Sequence, residues 1–162
     1  MPDRWQPRGG VGGALPGVVA PDELDGRAEW VPLRPPRDLL DGLAARLGSE
    51  TDLGRVVLAV LSPLRTALLG EPLGLLAARL PLHLARELAD AELNLGAKVE
   101  APADARGYLA EVSRLLLHPP GTALAYVRAV FAAARGALPP EETRAIEVRL
   151  PPGVVDLWRD AR

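Results

Sequence analysis

The chain has 162 residues, 48% of them hydrophobic, with 19 basic and 21 acidic side chains and no cysteine. That is enough apolar material for one moderate core, and the lack of thiols excludes disulfides, thiolate zinc sites, iron–sulfur clusters and cysteine nucleophiles. The formal charge of -2 is spread along the chain without a basic stripe, which argues against nucleic acid as a partner; the longest apolar runs, such as VVLAVLSPL, stop short of the ~20 residues a membrane helix needs.

Residues 1–37 hold 13 of the 33 glycines and prolines and show neither helical nor alternating periodicity. They read as an extended or disordered N-terminal arm. Arg4 and Arg8 precede VGGALPGVVA in the manner of a secretory signal, but glycine and proline stand where such a signal has a leucine-rich helix. GGVGG lacks the Lys-Ser/Thr of a phosphate loop and is taken as linker. The arm also carries Trp5 and Trp30, large aromatics that a purely solvated tail has little reason to keep. Either Trp30, followed by Val31-Pro32-Leu33, docks on the chain's own core, or the arm orders on a partner, so Trp5 and Trp30 are the candidate partner-binding residues.

From Asp38 the pattern turns helical. Leu39, Leu40, Leu43 and Leu47 form one stripe at the 3.6-residue period. GSETD then supplies Ser49, Thr51 and Asp52, all competent N-caps. The second helix places Val57, Val60, Leu61, Leu64 and Leu68 on one side, with Pro63 predicting a kink or a restart capped by Ser62. Pro72 opens a third helix that buries Leu73, Leu76 and Leu80; Pro81 ends it and starts a fourth, short helix carrying Leu84 and Leu88 inward.

Sliding residues 38–91 onto 108–161 without a gap brings Arg79-Leu80-Pro81 onto Arg149-Leu150-Pro151, and 14 of the 54 aligned positions are identical. The face of the second helix maps onto Val127, Val130, Phe131, Ala134 and Leu138, while Leu76 meets Ile146 and Leu88 meets Trp158. This predicts an all-α protein built as a tandem repeat of two four-helix units, about 38–91 and 108–161, joined by a linker at 92–107 and sharing one core. Each half alone has about 54 residues, a size at which burial is marginal, so one cooperative domain over 38–162 is expected. The recurring pairs Arg65 and Arg135, Glu71 and Glu141, and Arg79 and Arg149 sit where helix dipoles favour their charges. Asp90 and Asp160 recur near helix ends where the dipole disfavours them, and no physical reason for that is evident.

The two Leu-Pro turns, the second followed by Val154 and Asp156-Leu157-Trp158, together with the stretches TDLGRVVLAVLSPLRTALLG and YLAEVSRLL, resemble the bacterial family catalogued as domain of unknown function 2267, over roughly residues 50–160. The resemblance implies an all-helical two-repeat domain and brings no catalytic residues with it. This chain departs from the family's pattern after the first Leu-Pro helix, where ELNLGAKV replaces an aromatic-rich stretch. Nearly all the cations are arginine, Lys98 excepted, and alanine, leucine, glycine and proline are abundant; their G/C-heavy codons point to a GC-rich bacterial genome and, with no membrane span, to the cytoplasm.

Reactive chemistry is sparse. His83 and His118 fall in different halves with no second ligand at helical spacing, the serines and threonines stand mostly at helix starts, and Glu141-Glu142 opens a helix where capping explains it. No catalytic, cofactor-binding or metal-binding residue is therefore assigned, and no cofactor is expected. The leading expectation is a non-enzymatic module for protein–protein interaction or scaffolding, with an unidentified protein or a second copy of itself as partner, through a groove between the repeats or through the arm. One alternative is a DNA-binding regulator with helix-turn-helix-like units, opposed by Glu87, Asp90, Asp156 and Asp160 on the would-be recognition helices. The other is a small-molecule-binding domain, for which Tyr108 and Tyr126 are the polar side chains to watch; tyrosines of this kind mostly pack in cores with the hydroxyl exposed.

Overall fold

The computed structural model describes residues 38–94 and 100–162, with the side chains of 91–94 left aside. The arm at 1–37, with Trp5 and Trp30, lies outside the described residues. Everything described is helix, turn or irregular, with no strand among these residues.

Helix α1 spans Leu39–Leu47, and Asp38 accepts a hydrogen bond from the Leu40 amide at 3.0 Å to satisfy one of its open donors. After Gly48, at φ 82°, the chain turns and Asp52 caps α2 (Leu53–Leu61) by accepting from Arg55 N at 3.1 Å. Pro63 has no N–H to continue the ladder, so the helix tightens into a 3₁₀ turn at Ser62–Leu64 before one further turn, α3 (Arg65–Leu68). The break is where the sequence places it, but Ser62 lies inside the 3₁₀ turn and makes no side-chain cap. Gly70, at φ 99°, leads into α4 (Glu71–Ala77) with Pro72 in its first turn.

Helix α5 (Leu82–Asn94) follows Pro81 and is 13 residues long. It is not a short helix, because nothing in ADAELN breaks it, and it consumes the first residues of the expected linker at 92–107. The linker is shortened from the other side too, since α6 (Ala105–Leu116) begins before residue 108, where Asp104 accepts from Gly107 N at 2.7 Å. Helix α7 (Pro120–Ala137) has alanine at 133 and runs 18 residues unbroken, about 27 Å at 1.5 Å per residue. Helices α8 (Pro140–Glu147) and α9 (Val154–Asp160) complete the fold.

These helices enclose one continuous apolar core. Val57, Val60, Leu61, Leu64 and Leu68 are fully buried, as are Val127, Val130, Phe131, Ala134 and Ile146. The main partner of α1 is α7, and α6 packs on α2 as well as on α7. The α1–α7 approach is close because Gly42 faces Ala133: a Cβ at Gly42 would stand 3.5 Å from the Ala133 Cβ. The largest buried side chains are aromatic, with Phe131 stacked 6.2 Å from Tyr108 and edge-on to Trp158 at 5.2 Å. Tyr108 is wholly buried and its hydroxyl donates to the Val60 carbonyl at 2.7 Å, tying α6 to α2 beside the Pro63 break. The expectation of an exposed hydroxyl is thus corrected: a buried O–H needs an acceptor, and the disturbed end of α2 offers one.

The recurrent charges serve different purposes in the two halves. Arg135, at the end of α7, donates through Nη1 to the carbonyls of Trp158, Arg159 and Ala161 at 3.1, 2.8 and 2.8 Å, closing the C-terminus of α9. Arg65 is 7% exposed, makes no hydrogen bond among the described residues, and its buried Nε has no partner. Arg79 pairs with Glu142 at 3.0 Å and joins the end of α4 to the start of α8. Glu142 is therefore an ion-pair partner rather than a cap; α8 has no side-chain cap at all. Arg149 is exposed and Asp160 sits at the last position of α9.

Candidate functional site

The described residues form a groove of about 670 Å³. Its residues come from α1 (Leu40), from α2 and its entry and exit (Asp52, Gly54, Arg55, Leu58, Ala59, Ser62), from α5 (His83, Leu84, Glu87) and from α6 (Leu115). Gly54, in the first turn of α2, lets Leu84 of α5 approach closely, since a Cβ there would come 3.1 Å from Leu84 Cδ2. The floor and walls are aliphatic, from Leu40, Leu58, Ala59, Leu84 and Leu115.

The polar groups divide into occupied and free. Asp52 is committed to capping α2, and Arg55 Nη2 reaches the Leu115 carbonyl at 3.5 Å across the groove's end. His83 and Glu87 lie one turn apart on the exposed side of α5 with no hydrogen bond or ion pair among the described residues. The site thus offers a wall of branched aliphatic side chains and one carboxylate with a neighbouring imidazole at its rim. Such a surface can bind and orient an apolar group, with Glu87 available to a cation or a hydrogen-bond donor.

A family model described as an uncharacterized conserved protein, DUF2267, matches residues 37–157, three quarters of the chain. The chain belongs to the DUF2267 family. No curated protein and no solved structure matches it.

In this DUF2267 chain the structure disperses most of the polar residues that sequence reasoning inspects. His83 borders the groove, while His118 is exposed in the turn between α6 and α7 with its ring 5.6 Å from that of Tyr126. The Ser113 hydroxyl donates to the His118 backbone carbonyl, pinning that turn. Neither tyrosine lines the groove: Tyr108 is spent on Val60, and Tyr126 packs beside His118. Burial pushes the Tyr108 phenol well above the usual tyrosine range, so it is a fixed donor and not an acid or base. Among the described residues no three His, Asp or Glu side chains gather as a metal site, and no helix is long and apolar enough to cross a membrane.

Sequence reasoning missed Gly54, Arg55, Leu58 and Leu115 as groove residues. Leu58 carries a signal: it is a leucine off the buried stripe of α2, on a helix whose one charged residue is Arg55. Leu115 comes from a helix sixty residues away, and no local pattern announces that meeting.

Proposed function

We propose that this DUF2267 chain is a non-enzymatic helical module that binds an amphipathic helix of a protein partner in the groove between α2 and α5. The observation that carries the reading is the aliphatic lining of Leu40, Leu58, Ala59, Leu84 and Leu115, in which Leu40, Leu58 and Leu115 stay partly exposed over the buried Ala59 and Leu84. Helix-in-groove recognition uses apolar anchors at i, i+3 or i+4 and i+7, and a groove of this volume takes anchors of that size. The free Glu87 carboxylate at the rim selects a partner helix with a lysine or arginine beside its apolar stripe.

The same reading takes the chain as an internal duplication of four-helix units preceded by a Gly/Pro-rich arm, in a cytoplasmic bacterial protein. The duplication is supported by burial at positions seventy apart: Val57 and Val127, Leu61 and Phe131, Leu76 and Ile146, Leu80 and Leu150, Leu84 and Val154, Leu88 and Trp158 are all buried. The first helices deviate: Leu39 and Leu43 are buried in one, Tyr108, Val112 and Leu116 in the other, a spacing nearer sixty-nine.

The test is selection from a displayed library of helical peptides against the full chain, followed by affinity measurement on Leu58→Gln. Binders with spaced apolar anchors and a flanking basic residue, at least tenfold weaker on Leu58→Gln and weaker on Glu87→Gln, are the expected result; a 1.4 kcal/mol loss corresponds to about tenfold. Binders indifferent to both substitutions refute the reading. A second reading is favoured by the groove's volume of about 670 Å³, which lies inside the range of small-molecule sites, roughly 300–1,000 Å³. An apolar fluorescent probe that binds saturably and is displaced by none of the selected peptides supports that reading instead.

A further inference from the structure

A second concavity, of about 550 Å³, lies where the end of α7 meets α8 and the end of α9. It differs from the groove in charge. Arg135, Arg144, Arg159 and Arg162 all line it, against a single carboxylate side chain, that of Glu147, in a chain whose acidic residues outnumber its basic ones. Glu147 is already taken, since its Oε1 accepts from Arg159 Nε at 2.6 Å. Arg135 is held rigidly, because its Nη1 is fastened to three carbonyls, and its Nε and Nη2 hydrogens are claimed by no group among the described residues. Arg144 and Arg162 are exposed and make no hydrogen bond or ion pair among the described residues. Thr143 adds a hydroxyl, and it belongs to the first turn of α8, a helix whose start has no side-chain cap.

We infer that this corner is a binding site for a small, multiply charged phosphate compound. Guanidinium groups present paired N–H donors that match phosphate oxygens, and several of them lining one hollow favour a ligand carrying more than one negative charge. The preference for a compact polyanion over a nucleic acid follows from geometry: the arginines surround one hollow and do not continue as a stripe from which a phosphate backbone could run. Arg135 supplies the fixed element, held in place by the fold before any ligand arrives, while Arg144 and Arg162 are free to close on the anion. The site is separate from the groove and shares no residue with it.

The test is calorimetric titration of the full chain with pyrophosphate at low ionic strength, with inorganic phosphate as a second arm. Saturable 1:1 binding is expected, tighter for pyrophosphate and weakening as salt rises. Arg144→Gln is expected to weaken it by about fivefold to tenfold, the loss of one charge-assisted contact. Arg46→Gln removes an equal charge from the exposed face of α1 and is expected to leave the affinity within about twofold. Both arginines are exposed, so circular dichroism and melting temperature are expected to match the parent for both variants. No saturable pyrophosphate binding, or equal weakening by Arg144→Gln and Arg46→Gln, overturns the inference.

Discussion

Replacing Arg135 by methionine removes the donor that closes α9 while keeping most of the side chain's apolar stem. Three carbonyls, those of Trp158, Arg159 and Ala161, lose their partner at once. One nitrogen carries only two hydrogens, so the three contacts are worth less than three separate bonds; a hydrogen bond to a charged group contributes about 1.5–3 kcal/mol net, and one such unit is the sound figure here. The favourable placement of a cation at a helix C-terminus adds about 0.3–1 kcal/mol. The expected cost is therefore about 2–4 kcal/mol, read as a lower urea midpoint with unchanged slope and a melting temperature lower by roughly 10 °C for a domain of this size. Arg65→Met is the matched control, because it deletes the same charge from the position seventy residues earlier, where the residue is 7% exposed and its buried Nε has no partner among the described residues. Exchanging a largely buried side chain whose Nε goes unsatisfied for an apolar one of similar length is neutral or stabilising, so a change between zero and about 2 kcal/mol in the favourable direction is expected. If the two substitutions cost the same, or Arg135→Met costs less than about 1 kcal/mol, the assignment of Arg135 as the closing group of α9 is wrong.

Three further outcomes follow from single residues. Leu117 ends α6 at φ 57° with 80% of its surface exposed, so Leu117→Gly removes left-handed strain and an exposed apolar side chain, raising stability by about 1 kcal/mol in chemical denaturation. Gly153 has φ 80° and a Cβ there would meet the Ala105 backbone N at 3.2 Å, so Gly153→Ala is expected to cost at least about 1–2 kcal/mol, measurable as a lower melting temperature. Tyr108→Phe loses the bond to Val60 O and costs about 1 kcal/mol at neutral pH. The folded-state phenol has its pKa raised by burial, so the folded form holds a proton that the unfolded form releases above about pH 10; stability falls as pH rises through that range, and the fall is expected to be shallower in Tyr108→Phe.

Much of the helical frame is legible in the sequence because it is written by strong local signals. Asp52, one of three cap candidates in the sequence, caps α2, whose stripe Val57, Val60, Leu61, Leu64 and Leu68 is wholly buried, while of the first stripe Leu39 and Leu43 are buried and Leu40 and Leu47 only partly so. Pro63, Pro72 and Pro81 mark real changes in the backbone, since a missing N–H acts locally whatever the tertiary context. The end of α5 was hidden for the opposite reason: ADAELN carries no breaker, and only a stop signal distinguishes a helix from a linker of good helix formers. Partnerships were harder still. Identical arginines at 65 and 135 read alike in the sequence, yet among the described residues only Arg135 meets the carbonyls of a helix that terminates beside it. The groove depends on Gly54 and on Leu115 arriving from α6, a contact between distant segments that no periodicity encodes.

The packing of α1 chiefly on α7 has a consequence for synthesis. The residues that cover Leu39 and Leu43 are made about 80 residues after them, a delay of roughly 4–16 s at the ~5–20 residues per second of translation. During that interval the growing polypeptide leaves the ribosome with a greasy flank uncovered, a natural handle for a chaperone. Premature termination anywhere before α7 would then yield a fragment destined for proteolysis.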